Sequence, residues 1–243
     1  MLPITDLHMH VVFDVDDGAR NIGESLQMLK MAESQGITDV FCTSHNGYSI
    51  EDGEKYLANL KWLKEAAEME GINIRLHKGC EILCAGEYMD DILYGLEIGA
   101  FTTLGDSKCL LIELYSDVRP TEALRIISEL KQHGYLPIIA HMERNRNISG
   151  IMVNMLIQSG ALIQVNLASF TDTDCERQTR ARELLANKQI HFIGTDAHRT
   201  DYRSPNIQSG VDYIMANTDE NYAKAILGGN ISAIINRKEN CNV

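Results

Sequence analysis

Apolar residues along the chain fall into short compact runs separated by longer stretches in which they recur every three or four positions. The short runs predict strands at Ile4–His8, Val40–Thr43, Ile72–Cys80, Cys109–Leu114, Pro137–Ala140, Ala161–Val165 and Ile190–Gly194. Helices are predicted between them. Asn21 caps the first with Glu24 as its capping-box partner, Ile22, Leu26 and Leu29 form the apolar stripe, and Gly36 ends it. In the second, from about Glu54 to Glu70, the residues Tyr56, Leu60, Leu63 and Ala67 share one face, and Gly71 stops the helix. A short helix is expected around Tyr88–Gly95, and Pro120 opens another that Gly134 closes. Helical stretches then cover Ile151–Gln158, Glu176–Asn187 and the neighbourhoods of Val211 and Tyr222.

Strand and helix alternating along the whole length predict an α/β fold with parallel strands and helical crossovers. A distorted (β/α)7 relative of the eight-stranded TIM-like barrel is the first expectation, and a doubly wound open sheet is the alternative. No linker or low-complexity tract interrupts the pattern, so residues 1–243 read as a single domain.

Composition narrows the function classes. Apolar residues at 44% and charged residues at 23% exclude a disordered chain. No apolar run approaches the roughly 20 residues that cross a bilayer, and the N-terminus has no signal-peptide pattern, so no membrane insertion and a cytoplasmic location are expected. Lys and Arg total 22 against 34 Asp and Glu, a formal net charge of −12 with no basic stripe, which argues against nucleic acid as a partner. The six cysteines, Cys42, Cys80, Cys84, Cys109, Cys175 and Cys241, form no C-x-x-C pair and are expected as reduced thiols.

Candidate chemistry gathers at the strand ends. His8, His10, His45, His141 and His198 stand at or just past the carboxyl end of a predicted strand, as do Glu81, Glu113 and Asp196, with Asp17 in the first loop. Parallel α/β folds place their functional face there. His8-x-His10 and Asp196-x-His198 have the period-two spacing that puts both members of a pair on one face of extended backbone. Glu113, between Ile112 and Leu114, is a carboxylate in an apolar strand, which calls for a cation or several donors if it is buried. Nine imidazole and carboxylate groups with no thiolate suit two to three divalent ions, manganese, iron or zinc.

These residues resemble the polymerase-and-histidinol-phosphatase (PHP) superfamily of metal-dependent phosphoesterases. More narrowly, they resemble its bacterial branch of manganese-dependent protein tyrosine phosphatases that regulate capsule and exopolysaccharide synthesis. The matching stretches are Asp6-Leu7-His8-Met9-His10 with Val12 to Gly18, then Thr43-Ser44-His45, Gly79-Cys80-Glu81-Ile82, Leu111-Ile112-Glu113, Ile139 to Arg144 and Thr195-Asp196-Ala197-His198. The resemblance implies a first metal on His8, His10, Glu81 and Asp196. It implies a second on bridging Glu81 with Glu113 and His141, and a third on Asp17, His45 and His198. It also implies that Arg144 and Arg203 bind phosphate. The match departs at Asn145, where relatives often carry an aromatic residue.

The implied reaction is hydrolysis of a phosphate monoester by a metal-activated hydroxide attacking in line, with arginines on the equatorial oxygens. A phenolate leaves readily, since tyrosine's pKa is about 10, so no strong general acid is named. No cysteine is followed by an arginine after five intervening residues, the C-x5-R spacing that cysteine-dependent phosphatases need, so no covalent phosphoenzyme is expected. The implied substrate is a phosphotyrosine protein, the tail of a tyrosine autokinase. The alternatives are a histidinol-phosphate or other small-ester phosphatase, a nuclease of the same superfamily, and a silent docking module for a kinase.

Overall fold

The computed structural model describes residues 3–231 and residue 234; Cys241 lies outside the described residues. In chain order the elements are β1 (Ile4–Met9), α1 (Ile22–Ser34), β2 (Ile37–Cys42), α2 (Ile50–Met69), β3 (Arg75–Lys78), β4 (Glu81–Cys84), α3 (Met89–Ile98), β5 (Cys109–Leu114) and α4 (Pro120–Gln132). They continue with β6 (Leu136–Ile139), α5 (Gly150–Gln158), β7 (Leu162–Asn166), α6 (Cys175–Ala186), β8 (Phe192–Gly194), α7 (Gln208–Asn217) and α8 (Glu220–Leu227).

The fold is α/β, and every strand pairing is parallel. One sheet has the order β1-β2-β3 and the other β4-β5-β6-β7-β8. Two backbone bonds reach across from β8 to β1: Asp196 N–H donates to the His8 carbonyl at 2.7 Å, and His10 N–H donates to the Ala197 carbonyl at 2.9 Å. Both faces of the strands are apolar, as sheets covered on both sides require. Val40, Cys42, Leu110, Ile112 and Ile139 belong to the large core shared with the helices. Residues of opposite parity (Phe41, Cys109, Leu111 and Ile138) join Leu7 and Phe192 in a second cluster. That cluster draws on strands of both sheets, so the sheets curve around a common interior. Glu113 continues the Cys109–Leu111 face and stands at the mouth of that interior.

One predicted strand is two. Ile72–Cys80 reads from sequence as a single run, but β3 begins at Arg75 and stops at Lys78, and β4 begins at Glu81. Between them Gly79 N–H donates to the Tyr56 hydroxyl, while Glu81 N–H points to the carbonyls of Thr43 and Ser44. A side chain at Gly79 would come within 2.8 Å of Leu104 and 3.0 Å of Thr43. The chain thus leaves its pairing with β2 and enters pairing with β5. Glu81 stands at the start of a strand, where the sequence pattern predicts the end of one.

Helix ends follow their caps. α2 starts four residues earlier than its apolar stripe predicts, because Ser49 and Asp52 form a reciprocal capping box. Asn21 caps α1 through Glu24 N–H, but the Glu24 carboxylate turns to Arg20 instead of closing the expected box.

Candidate metal centre

Four ligand-type side chains meet within reach of a single ion. His8 and His10 arrive from the end of β1, Glu81 from the start of β4, and Asp196 from the loop after β8; all four are buried. Glu81 Oε2 lies 2.9 Å from His8 Nε2 and 3.1 Å from His10 Nε2. Asp196 Oδ1 lies 3.5 Å from both nitrogens and, though buried, has no hydrogen-bond partner.

The remaining ligand candidates surround this group. His141 Nε2 lies 2.8 Å from Glu81 Oε1 and 3.4 Å from Glu113 Oε1, so Glu81 faces two sides at once. His45 groups with Glu81 and Glu113, and also with His10 and Asp17. His198 stacks on His10 with ring centroids 4.0 Å apart and places Nε2 3.5 Å from Asp17 Oδ1. All nine side chains singled out in the sequence come together. Their grouping matches the implied first set but differs in the other two: His10 joins Asp17 and His45 where His198 was implied, and His45 joins Glu81 and Glu113 where His141 was implied.

Both arginines reach the same carboxylate. Arg144 Nη2 donates to Asp196 Oδ2 at 2.6 Å, and Arg203 Nη2 donates to the same oxygen. Arg203 also lies 3.1 Å from His198 Nε2. Each guanidinium is about 30% exposed, so each has one side in the site and one toward solvent.

Backbone geometry at the site departs from one expectation. Asp196-x-His198 predicts extended chain, but Asp196 is left-handed at φ 54°. His141 and Arg203 are left-handed too, at φ 31° and 50°; among the described residues only Asp14 and Lys188 are the other non-glycine cases. Three of five such residues are site residues, so the strained positions concentrate where side chains must be aimed. Asp196 is held by the β8-to-β1 bonds, and His141 N–H donates to Gln164 Oε1 at 2.7 Å. Two glycines make the close approaches possible. A side chain at Gly18 would meet the His10 carbonyl at 2.3 Å, and one at Gly194 would meet the His8 Cβ at 2.6 Å.

The sequence pattern gave no reason to single out a second layer of polar groups. Asp16 Oδ2 lies 2.7 Å from His10 Nδ1 and accepts His45 N–H at 2.8 Å, so it fixes the His10 ring with Nε2 toward the site. Asp6 accepts the backbone N–H groups of His8 and Thr195 and the Thr195 hydroxyl, tying the two ligand-bearing strand ends together. Burial pushes the Asp6 carboxyl up to about 6 despite those bonds. Asn166 donates to Asp196 Oδ2 at 3.1 Å. Asp16 was readable in principle from its place in Asp14-Val15-Asp16-Asp17-Gly18. Gln164 and Asn166, on a strand with no ionisable residue, were not.

The electrostatics suit cations. Burial pushes Glu81 and Asp196 up, but the attraction of His8 and the surrounding imidazole and guanidinium groups outweighs it and holds both well below the usual carboxylate range. Burial pulls His10 down, yet the carboxylates around it, Asp16 first, raise it well above the usual imidazole value. His198 goes the other way, to about 4, through burial and the neighbouring His10 and Arg203. A neutral imidazole beside Asp17 is ready to ligate at neutral pH. Clustered carboxylates, imidazoles and an unpartnered buried Asp196 oxygen aimed among them fit divalent cations as the missing partners.

A model of the family described as capsular polysaccharide synthesis, CpsB/CapC, matches residues 4–236. The chain belongs to this family. Tyrosine-protein phosphatase CpsB of Streptococcus pneumoniae is 30% identical over 240 residues, covering 95% of this chain and 97% of that protein. Tyrosine-protein phosphatase YwqE of Bacillus subtilis is 30% identical over 217 residues, covering 85% and 82%. A solved structure described as one of YwqE and CpsB, metal-dependent tyrosine phosphatases, is similar with a TM-score of 0.84 at 25% identity, covering 97% of this CpsB/CapC chain and 96% of that one. Histidinol phosphate phosphatase from Lactococcus lactis, solved with zinc, L-histidinol and phosphate, shares the fold at a TM-score of 0.56 and 14% identity, covering 89% and 94%.

Proposed function

We propose that this CpsB/CapC chain is a metal-dependent phosphomonoester hydrolase acting on phosphotyrosine in a protein of capsule or exopolysaccharide synthesis, the tail of a tyrosine autokinase. The observation that carries this reading is the unpartnered Asp196 Oδ1 in a buried cluster with His8, His10 and Glu81. The relatives CpsB and YwqE, both tyrosine-protein phosphatases, support the substrate class.

In this reading His8, His10, Glu81 and Asp196 would hold one ion, Glu81, Glu113 and His141 a second, and Asp17, His45 and His198 a third. Divalent cations bound there would supply Lewis acidity toward phosphoryl oxygens and a hydroxide nucleophile at neutral pH. Arg144 and Arg203, which donate to Asp196 Oδ2 at the edge of the cluster, would hold the spreading negative charge on the equatorial oxygens of the phosphoryl group. Asp16 keeps His10 Nε2 turned inward throughout. The tyrosine leaves as a phenolate, which asks no strong acid of the chain.

A thiol mechanism finds no support. Burial pushes the Cys42 and Cys80 thiols up to about 12, far from the thiolate that nucleophilic attack requires. A cytoplasmic setting is part of the proposal and agrees with the reduced thiols of Cys42, Cys80, Cys84 and Cys175. Among the described residues no helix is long and apolar enough to cross a membrane.

The test is a phosphatase assay on a phosphotyrosine peptide and on histidinol phosphate, with a chelator in one arm and a thiol-alkylating reagent in another. Chelation is expected to abolish peptide hydrolysis, added Mn²⁺ to restore it, and alkylation to leave it intact. Loss on alkylation with survival under chelation contradicts the metal reading. Faster turnover of histidinol phosphate contradicts the substrate assignment.

A further inference from the structure

Beside the metal centre lies a groove of about 500 Å³ that the chemistry above leaves unused. Tyr48, Leu83, Tyr88, Asp91, Tyr94 and Tyr115 line it. Five large side chains there are between 36% and 62% exposed, an unusual concentration of aromatic surface in water. The volume is that of a small-ligand site.

The groove adjoins the ligands by sequence and by strand geometry. Leu83 follows Glu81 by two residues on β4, and Tyr115 follows Glu113 by two at the end of β5. Residues i and i+2 of a strand share a face and stand about 6.5 Å apart. Tyr48 is three residues beyond His45. Phosphorus held at Glu81 and Glu113 therefore has a tyrosine-lined wall about one aromatic side chain's length away. Among the described residues the groove's only charged lining group is the Asp91 carboxylate, and no cationic side chain lines it. A phosphate dianion is repelled there and drawn to the cations and arginines beyond, so an aryl phosphate has one favourable orientation, ring in the groove and phosphate out of it.

The walls are set in place. Tyr48 packs edge-on against Phe101, with ring centroids 4.9 Å apart. The Tyr115 carbonyl accepts Asn145 Nδ2 at 3.1 Å, and the next carbonyl, of Ser116, accepts Arg146 N–H at 3.0 Å. Asn145 thus ties the groove to the turn that carries His141 and Arg144.

We infer that this groove is the leaving-group subsite, which takes the phenyl ring of the phosphotyrosine among Tyr48, Tyr88 and Tyr115 while the phosphoryl group lies against Glu81 and Glu113. The inference rests on the proposed hydrolase reading. It makes selection of aryl over alkyl phosphates a property of the binding surface, in addition to the better leaving group.

The test compares kcat/KM for phosphotyrosine amide and phosphoserine amide in the Mn²⁺-loaded protein, its Tyr115→Ala variant and its Tyr88→Ala variant. The aryl-to-alkyl ratio is expected to fall about tenfold in each, the scale of one lost aromatic contact with its buried area. Intrinsic leaving-group reactivity is common to all three proteins and cancels in that comparison. Calorimetry with a non-hydrolysable aryl phosphonate reads the groove without turnover, and its affinity is expected to weaken by a similar factor. An unchanged ratio and unchanged phosphonate affinity in both variants overturn the subsite. A native-sequence protein that hydrolyses neither amide yet binds the phosphonate through Tyr115 overturns the hydrolase reading and leaves the groove assignment standing.

Discussion

Asp16 shows how far the chemistry of a ligand depends on a residue that never touches the ion. Its Oδ2 meets His10 Nδ1 and the His45 N–H, and its Oδ1 accepts the Gly18 N–H at 3.0 Å. One carboxylate therefore sets the His10 ring, the approach of the His45 chain and the turn of the first loop. Burial pushes Asp16 up, but the bond and charge of His10 outweigh it and hold it below the usual carboxylate value. Asp16→Asn keeps the shape and removes the charge. It is expected to lower Mn²⁺ affinity by about 10- to 100-fold, the usual cost of losing a ligand's outer partner, while the fold persists. Calorimetric titration of metal-free protein, with circular dichroism as the folding check, measures both. Affinity within twofold of the native-sequence protein would contradict the role given to Asp16. Sequence reading singled out the nine ligand candidates because imidazoles and carboxylates at strand ends are conspicuous. It passed over Asp16, Gln164 and Asn166 because an orienting group needs no special residue type, only a position that folding supplies.

Between elements, β2 and β3 are joined by a buried charge that has no part in the metal centre. Asp39, on β2 with its side chain 3% exposed, accepts Arg75 Nε at 2.7 Å and lies 2.8 Å from His77 Nε2, both on β3. Burial pushes the Asp39 carboxyl up, but the bonds from His77, Arg75 and Thr38 outweigh it and hold it at about 2, against about 3.8 for the free group. A carboxylate held down in the folded state contributes stability that is complete above the unfolded pKa and disappears as pH falls through the folded one. Because Arg75 is 70% exposed, solvent screens part of the attraction, and about 1–2 kcal/mol is a reasonable size. Asp39→Asn is thus expected to lower Tm by roughly 2–8 °C at pH 7. The gap to the native sequence should close as pH drops from about 4 to about 2, the window set by those two values. Thermal melts across that range provide the check, and a gap that is constant with pH would contradict the assignment. The same region marks where the sequence pattern failed. Periodicity recognised every parallel strand but could not see that Gly79 and Cys80 break one of them, because the cause is tertiary: the Tyr56 hydroxyl and the packing of Leu104 and Thr43 against Gly79.

For the whole molecule, the acidic excess and the centre belong together. A chain with net charge −12 gathers Asp17, Glu81, Glu113 and Asp196 at one end of its strands. Their charge is met by imidazoles and by Arg144 and Arg203 on Asp196. Cations bound there would reverse the local sign and make the site attractive to phosphate. The α/β fold with parallel strands was legible from the alternation of strand and helix, and so was the face on which the candidate residues gather. Sequence alone did not show that β8 returns to β1 through Asp6, Thr195 and the bonds on either side of Asp196, which is what brings His8 and His10 together with Asp196 in one cluster. The most direct measurement is anomalous diffraction at the manganese edge from crystals of the protein loaded with Mn²⁺. The account predicts two to three peaks, one of them bounded by His8, His10, Glu81 and Asp196, with Arg144 and Arg203 released from Asp196. Crystals that show no peak, with both guanidiniums still on Asp196, would contradict it.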